Sequence, residues 1–126
     1  MSADYPSMTT AEIRSKFLNF FEERGLKLYP SSSLVPDDPS LLLANAGMNQ
    51  FKEYYQGKKA MKEIGAISCQ KCVRTNDIDC IGEDGRHLSF FEMLGDFSFG
   101  GVSKQQACAW AFELITKEFK LPLDRL

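Results

Sequence analysis

Apolar residues recur at helical spacing near both ends of the chain and at strand spacing in its middle. Thr9-Thr10-Ala11-Glu12 has the spacing of a capping box, with Thr9 as the cap and Glu12 reaching back to it. Ile13, Phe17, Phe20 and Phe21 then fall on one helical face, and Gly25 supplies the stop. The pattern predicts a helix laid on a sheet. A second helix opens at Ser103, where Gln106 repeats the capping-box spacing. It carries Ala107, Trp110, Ala111, Leu114 and Ile115 on its apolar face and ends ahead of Pro122. Between the helices, Leu26 to Tyr29 is briefly extended. Pro30, Pro36 and Pro39 then argue for an irregular connector and against a central strand. Leu41-Leu42-Leu43 reads as a short buried strand and Asn45 to Met48 as a turn. Phe51, Tyr54 and Tyr55 form a short helical packing stripe.

The stretch from Ser68 to Gly100 reads as two strands joined by a polar, acidic loop. The first strand ends in Arg74; the second opens with Arg86 and His87. Side chains alternate along a strand, so His87, Ser89, Phe91 and Met93 share one face and Leu88, Phe90, Glu92 and Leu94 the other. If the strands are neighbours, Arg74 joins the first set. A cation or hydrogen-bond donor beside an aromatic ring is what a nucleotide requires: charge for its phosphates and a flat apolar surface for its base. Together these elements predict an α+β fold whose largely antiparallel sheet is flanked by helices.

With 126 residues the chain is one domain or part of one, and residues 1–8 read as a flexible tail ahead of residues 9–126. A formal net charge of −2 offers no overall basic field for a polyanion. Lys58, Lys59 and Lys62 form either a solvated surface or a local RNA contact. No apolar run is long enough to span a bilayer, so no membrane role is expected. Four cysteines behind a start with no signal-peptide layout fit a reducing, cytoplasmic setting. Cys69 and Cys72 form a C-x-x-C pair of the kind that serves zinc or redox chemistry. Residues three apart on a strand face opposite ways, however, and Cys80, His87 and Cys108 do not complete a four-ligand set. The acidic loop of Asp77, Asp79, Glu83 and Asp84 lacks the spacing of a calcium loop. No metal site is expected.

CQKCVRTND followed by RHLSFFEMLGDFSFG resembles motif 2 of the alanyl-tRNA synthetases, a family of class II aminoacyl-tRNA synthetases. SSSLVPDDPSLLLANAGMNQF resembles the family's motif 1 region. AEIRSKFLNFFEERGL resembles its first helix, and ACAWAFELITKEFKLPLDRL the helix after motif 2. The resemblance runs in unbroken order from about Thr9 to Leu126. It implies a partial class II catalytic fold, the amino-terminal portion, because nothing here resembles motif 3. It also implies a ligase that joins L-alanine to ATP as alanyl-adenylate and passes the alanyl group to the 3′ end of tRNA(Ala). The chain alone is then expected to be inactive or only to bind ATP. The implied partners are ATP, L-alanine, tRNA(Ala) and the rest of the synthetase chain. Mg²⁺ comes with the ATP, and zinc belongs to a family domain not found here.

By the same resemblance Arg74 grips the α-phosphate; its other reading is a surface arginine paired with Asp77 or Asp79. His87 corresponds to the position that meets the distal phosphates, with a structural histidine as the alternative; Arg86, where the family also carries arginine, is a further ATP-binding residue, although a regular strand would turn it to the other face. Phe91 corresponds to the ring that stacks on adenine, which Met93 borders. Asn45 and Met48 either line the pocket or form only a turn. Phe90, Phe97 and Phe99 are expected in the core. Two departures stand out. Thr75-Asn76-Asp77 replaces a longer loop with a glycine pair and a lysine, and Gly101-Val102-Ser103 replaces an Asp and aromatics.

Overall fold

The computed structural model describes residues 7–76 and 78–126, so most of the expected tail, and Asp77, lie outside the described residues. Its centre is a three-stranded sheet in the order β1 (Lys27–Leu28), β2 (Gly65–Val73), β3 (Phe90–Ser98). β2 and β3 form an antiparallel ladder from Gly65↔Ser98 to Val73↔Phe90, as expected, whereas the short β1 runs parallel to β2. The fold is therefore mixed α/β, with one antiparallel and one parallel pairing.

α1 (Thr10–Glu22) has both halves of the capping box: Glu12 N–H donates to Thr9 Oγ1, and the Glu12 carboxylate accepts from Thr9 N–H at 2.7 Å. Phe17, Phe20 and Phe21 face the sheet and pack edge-to-face with one another at centroid distances of about 5 Å. They meet Leu26, Ile67 and Leu114 in one core, bordered by Leu94, Trp110 and Phe119. α3 (Lys104–Glu113) starts at Ser103, whose hydroxyl accepts from Gln106 N–H. From Leu114 to Glu118 the helix widens into a π-turn. Of its expected apolar face, Leu114 is buried and Trp110 and Ile115 are half-buried, but Ala107 and Ala111 are exposed. The Gly101-Val102-Ser103 departure is a packing requirement here. A Cβ on Gly101 would lie 2.6 Å from the Ile64 Cα, so only glycine lets the chain cross that backbone.

The opposite face of the sheet is also covered. Residues 30–46 form an irregular connector, followed by a 3₁₀ turn (Gly47–Phe51) and the single-turn α2 (Lys52–Tyr55). Phe51 is buried against Tyr29 and Phe97, and Phe99 packs on Tyr54 and Tyr55. Phe97 and Phe99 thus fill a second aromatic cluster.

Two expectations are corrected. Leu41-Leu42-Leu43 is not a strand: Leu42 is 93% exposed, and the connector prolines leave this stretch without a partner strand. Phe90 does not enter the core but is 53% exposed. Glu92, two residues nearer the core on that face, already ends in an ion pair with Arg14 of α1 at 2.6 Å, and Phe90 lies beyond it.

Phe21 sits where α1, α3 and the sheet meet. Phe21→Ala is expected to destabilise the chain by about 3–5 kcal/mol, the usual range for emptying a buried aromatic site. The measurement is the urea midpoint, which should fall with an unchanged denaturant slope.

Candidate functional site

Pairing Cys72 with Phe91 puts the side chains of both on one face of the hairpin, together with Gln70 and Met93. Arg74 is the next residue of that series, and its N–H continues the ladder by donating to Ser89 O at 2.9 Å. Its guanidinium stands over the Phe91 ring, 5.4 Å from the centroid, and Nε donates to the Asn45 carbonyl at 3.0 Å. With Nε engaged, the exposed Arg74 side chain stands beside a half-buried ring. The structure therefore brings Arg74, Phe91 and Asn45 together. Met93, one step inward, is half-buried and accepts the Gly47 N–H on its sulfur at 3.2 Å. Met48 lies half-exposed on the same 3₁₀ turn. The Asn45 side chain is turned to Asn49, so it is the Asn45 backbone that borders Arg74.

His87 and Arg86 are not on the strand. β3 begins at Phe90, so alternation does not carry their side chains onto the Phe91 face. Both belong to the loop and are arranged by Asp84. One Asp84 oxygen accepts the Arg86 and His87 backbone N–H groups at 2.9 and 3.1 Å, and the other meets His87 Nδ1 at 2.5 Å. The loop prefers this turn to a longer strand because an Asp carboxylate satisfies two backbone donors locally. Asp84 is thus an organiser of the loop. The signal for it was the D-G-R-H string, in which an Asx turn precedes Arg86 and His87.

Asp84's three accepted contacts, the backbone ones foremost, hold its carboxyl at about 2, below the ordinary 3.8. On the opposite face, Arg14 lowers Glu92 by direct hydrogen bonding. Burial pushes the Cys69 and Cys72 thiols up, the reverse of what a reactive thiolate needs. Their side chains open on opposite faces: Cys69 pairs with Leu94 toward the helices, and Cys72 is buried with Phe91 under the connector. Among the described residues, no three His, Cys, Asp or Glu side chains converge on a point that could hold a metal.

A cleft of about 790 Å³ lies elsewhere, between residues 32–39 of the connector and residues 49–59. Of the three lysines that line it, Lys52 pairs with Asp38 at 2.5 Å and Lys59 with Glu53. Of Lys58, Lys59 and Lys62, Lys59 is the one held in an ion pair among the described residues, with Glu53. Arg74 and Phe91, where a cation meets an aromatic ring, form the stronger candidate although neither lines that cleft. The sequence reading missed Gln70, fully buried beneath this face. A glutamine alternating with Ser68 and Cys72 reads as a solvent face, and nothing local marks it as covered.

The depressed Asp84 value sets a pH test. A carboxylate whose folded value lies below its unfolded one contributes stability above the unfolded value, and that contribution is lost as pH falls through the folded value. The Asp84 carboxyl resonance should titrate near 2, with the Arg86 and His87 amide signals shifting alongside it. Titration near the ordinary 3.8 would mean that the loop does not hold this turn in solution.

Comparison with known proteins covers nearly the whole chain. The family model described as "tRNA synthetases class II (A)" matches residues 12–126. The alanine–tRNA ligase of Synechocystis sp. is 52% identical over all 126 residues, which make up 14% of that protein. The chloroplastic/mitochondrial alanine–tRNA ligase of Sorghum bicolor is 56% identical over 114 residues, 90% of this chain and 12% of the relative. The alanine–tRNA ligase of Pseudothermotoga lettingae is 52% identical over 119 residues, 94% of this chain and 14% of the relative. The chain spans about one-seventh or less of these relatives' length. Matched by the family's model from residue 12 onward, and more than half identical to alanine–tRNA ligases along nearly its whole length, the chain belongs to the class II (A) tRNA synthetases.

Proposed function

We propose that this chain forms the ATP-binding part of an alanyl-tRNA synthetase active site, with residues 9–126 contributing the amino-terminal portion of the catalytic domain. In this reading the whole enzyme acts in the cytoplasm, a reducing compartment that suits four free cysteines. The observation that carries the reading is the pairing of the Arg74 guanidinium with the Phe91 ring, the cation anchored by its Nε.

The reaction has two steps. A carboxylate oxygen of L-alanine attacks the α-phosphorus of Mg·ATP, the bond to the β-phosphate oxygen breaks, and pyrophosphate leaves. The 3′-terminal ribose hydroxyl of tRNA(Ala) then attacks the alanyl carbonyl, giving alanyl-tRNA and AMP. In the first step negative charge gathers on the oxygens around phosphorus. The terminal N–H groups of Arg74 meet that charge without reorganising, because Nε is already fixed. Phe91 supplies the stacking surface for adenine, with Met93 at its border, and so holds the phosphorus in reach of attack. His87 and Arg86, displayed by the Asp84 turn, meet the β- and γ-phosphates, and Mg²⁺ enters on the triphosphate. Asn45 and Met48 line the adjoining edge. The chain by itself binds the nucleotide without completing aminoacylation; L-alanine and tRNA(Ala) are recognised with the rest of the synthetase.

Calorimetric titration with Mg·ATP tests the reading. Saturable binding is expected, and Arg74→Ala should weaken it by about 10- to 150-fold, the loss of one charge-assisted contact. Phe91→Ala should weaken it by about 5- to 150-fold through lost base stacking. Adenosine, which lacks phosphates, should be sensitive to Phe91→Ala only. A folded chain that binds no ATP, or binds it equally well without Arg74, would overturn the assignment.

A further inference from the structure

The Gln70 side chain has no exposure to solvent, and every polar atom of its amide is used. Its Oε1 accepts from Ser32 N–H at 2.8 Å, Ser32 Oγ at 3.1 Å and Gln50 Nε2 at 3.2 Å. Its Nε2 donates to the Ser32 carbonyl at 3.2 Å and the Lys71 carbonyl at 2.8 Å. The amide can sit only one way round. Flipped, it would set its NH₂ against the Ser32 N–H and its oxygen against two carbonyls.

Ser32 and Gln50 are the two ends of one loop. The segment between them leaves β2 at Ser32 and returns to it at Gln50, so one buried amide closes the loop at both ends. The loop carries Asn45, whose carbonyl receives Arg74 Nε at 3.0 Å. Two more contacts seat the Asn45 turn: Val73 N–H donates to Ala44 O at 2.9 Å, and Gly47 N–H to Met93 Sδ at 3.2 Å. The Arg74 side chain takes its direction from the Asn45 carbonyl and from the Phe91 ring.

We propose that Gln70 is a positioning residue for Arg74: by clamping both ends of the 32–50 loop it sets the Asn45 carbonyl that aims the guanidinium. Its consequence for nucleotide binding rests on the Arg74 reading above; its consequence for Arg74 geometry does not. Gln70 meets no ligand and acts only through the loop.

Two readouts test this on the same chain. In ¹⁵N-resolved spectra the Arg74 Nε–H, assigned by its absence in Arg74→Ala, should exchange slowly with solvent. Gln70→Leu and Gln50→Met should each speed that exchange about tenfold or more, the scale of one lost hydrogen bond, with the β2–β3 amides still protected. Gln50→Met removes the amide contacts of that end to Gln70 and to Pro30 O without touching the sheet, and decides the matter should Gln70→Leu not fold. Fast exchange in the unaltered chain, or unchanged protection in both folded variants, would overturn the proposal. The second readout is a double-mutant cycle on Mg·ATP affinity. Gln50→Met should weaken binding about tenfold in the unaltered background and have no further effect in Arg74→Ala, whereas additive losses would show that the clamp does not act through Arg74. An unaltered chain that binds no ATP would defeat the functional reading, and the exchange readout would still decide the positioning one.

Discussion

β2 is covered on both faces, and the rest of the structure depends on how its second face is covered. Toward the helices it presents Ile67 to the phenylalanines of α1, an apolar contact that needs no direction. Toward the connector it presents Ala66, Ser68, Gln70 and Cys72, all buried. A buried amide without partners would cost several kcal/mol, more than the net value of any one hydrogen bond it makes. The connector must therefore arrive in a conformation that offers Gln70 the Ser32 carbonyl, N–H and hydroxyl, while Gln50 of the 3₁₀ turn adds a third donor and Lys71 of β2 itself a second carbonyl. That demand converts a proline-rich stretch with no regular structure into a fixed loop.

The candidate site is then a by-product of sheet geometry. The hairpin is held at its inner end by the helical core and the Phe51 cluster, while its outer end runs clear of both. Arg74 and Phe91 lie at that transition. Their backbones are locked in the ladder, and their side chains reach the open end. A rigid base beneath an accessible tip suits a group that must meet a ligand in a fixed orientation. Arg86 and His87 lie further out, on a loop ordered by one carboxylate. Their place is set by hydrogen bonds within the loop and not by a strand ladder like the one that holds Arg74.

The elements governed by local rules were legible in the chain. Both helices begin at the predicted caps, because a Thr or Ser hydroxyl satisfies the same orphan N–H groups in any context. The faces of β3 from Phe91 inward follow from alternation alone, which is why Arg74, Phe91 and Met93 were correctly grouped. The separation of Cys69 from Cys72 follows from the same period. Where a local competitor intervened, the periodic reading failed: the Asp84 turn captured Arg86 and His87 before the strand could.

Sequence by itself determined the helices, the hairpin, its face assignment and the family to which those strings belong. Tertiary structure alone decided which polar face is solvated and which is sealed. Gln70 and Phe90 show the reason. Burial depends on what another part of the chain lays over a residue, and neither side-chain period nor hydrophobicity records that. Gln70 lies under a distant loop and is buried; Phe90 lies beyond the reach of α1 and is exposed. The direction of Arg74 belongs to the same class. It was named from its place on the strand, but it is aimed by a carbonyl 29 residues away that reaches it only once the connector has folded back.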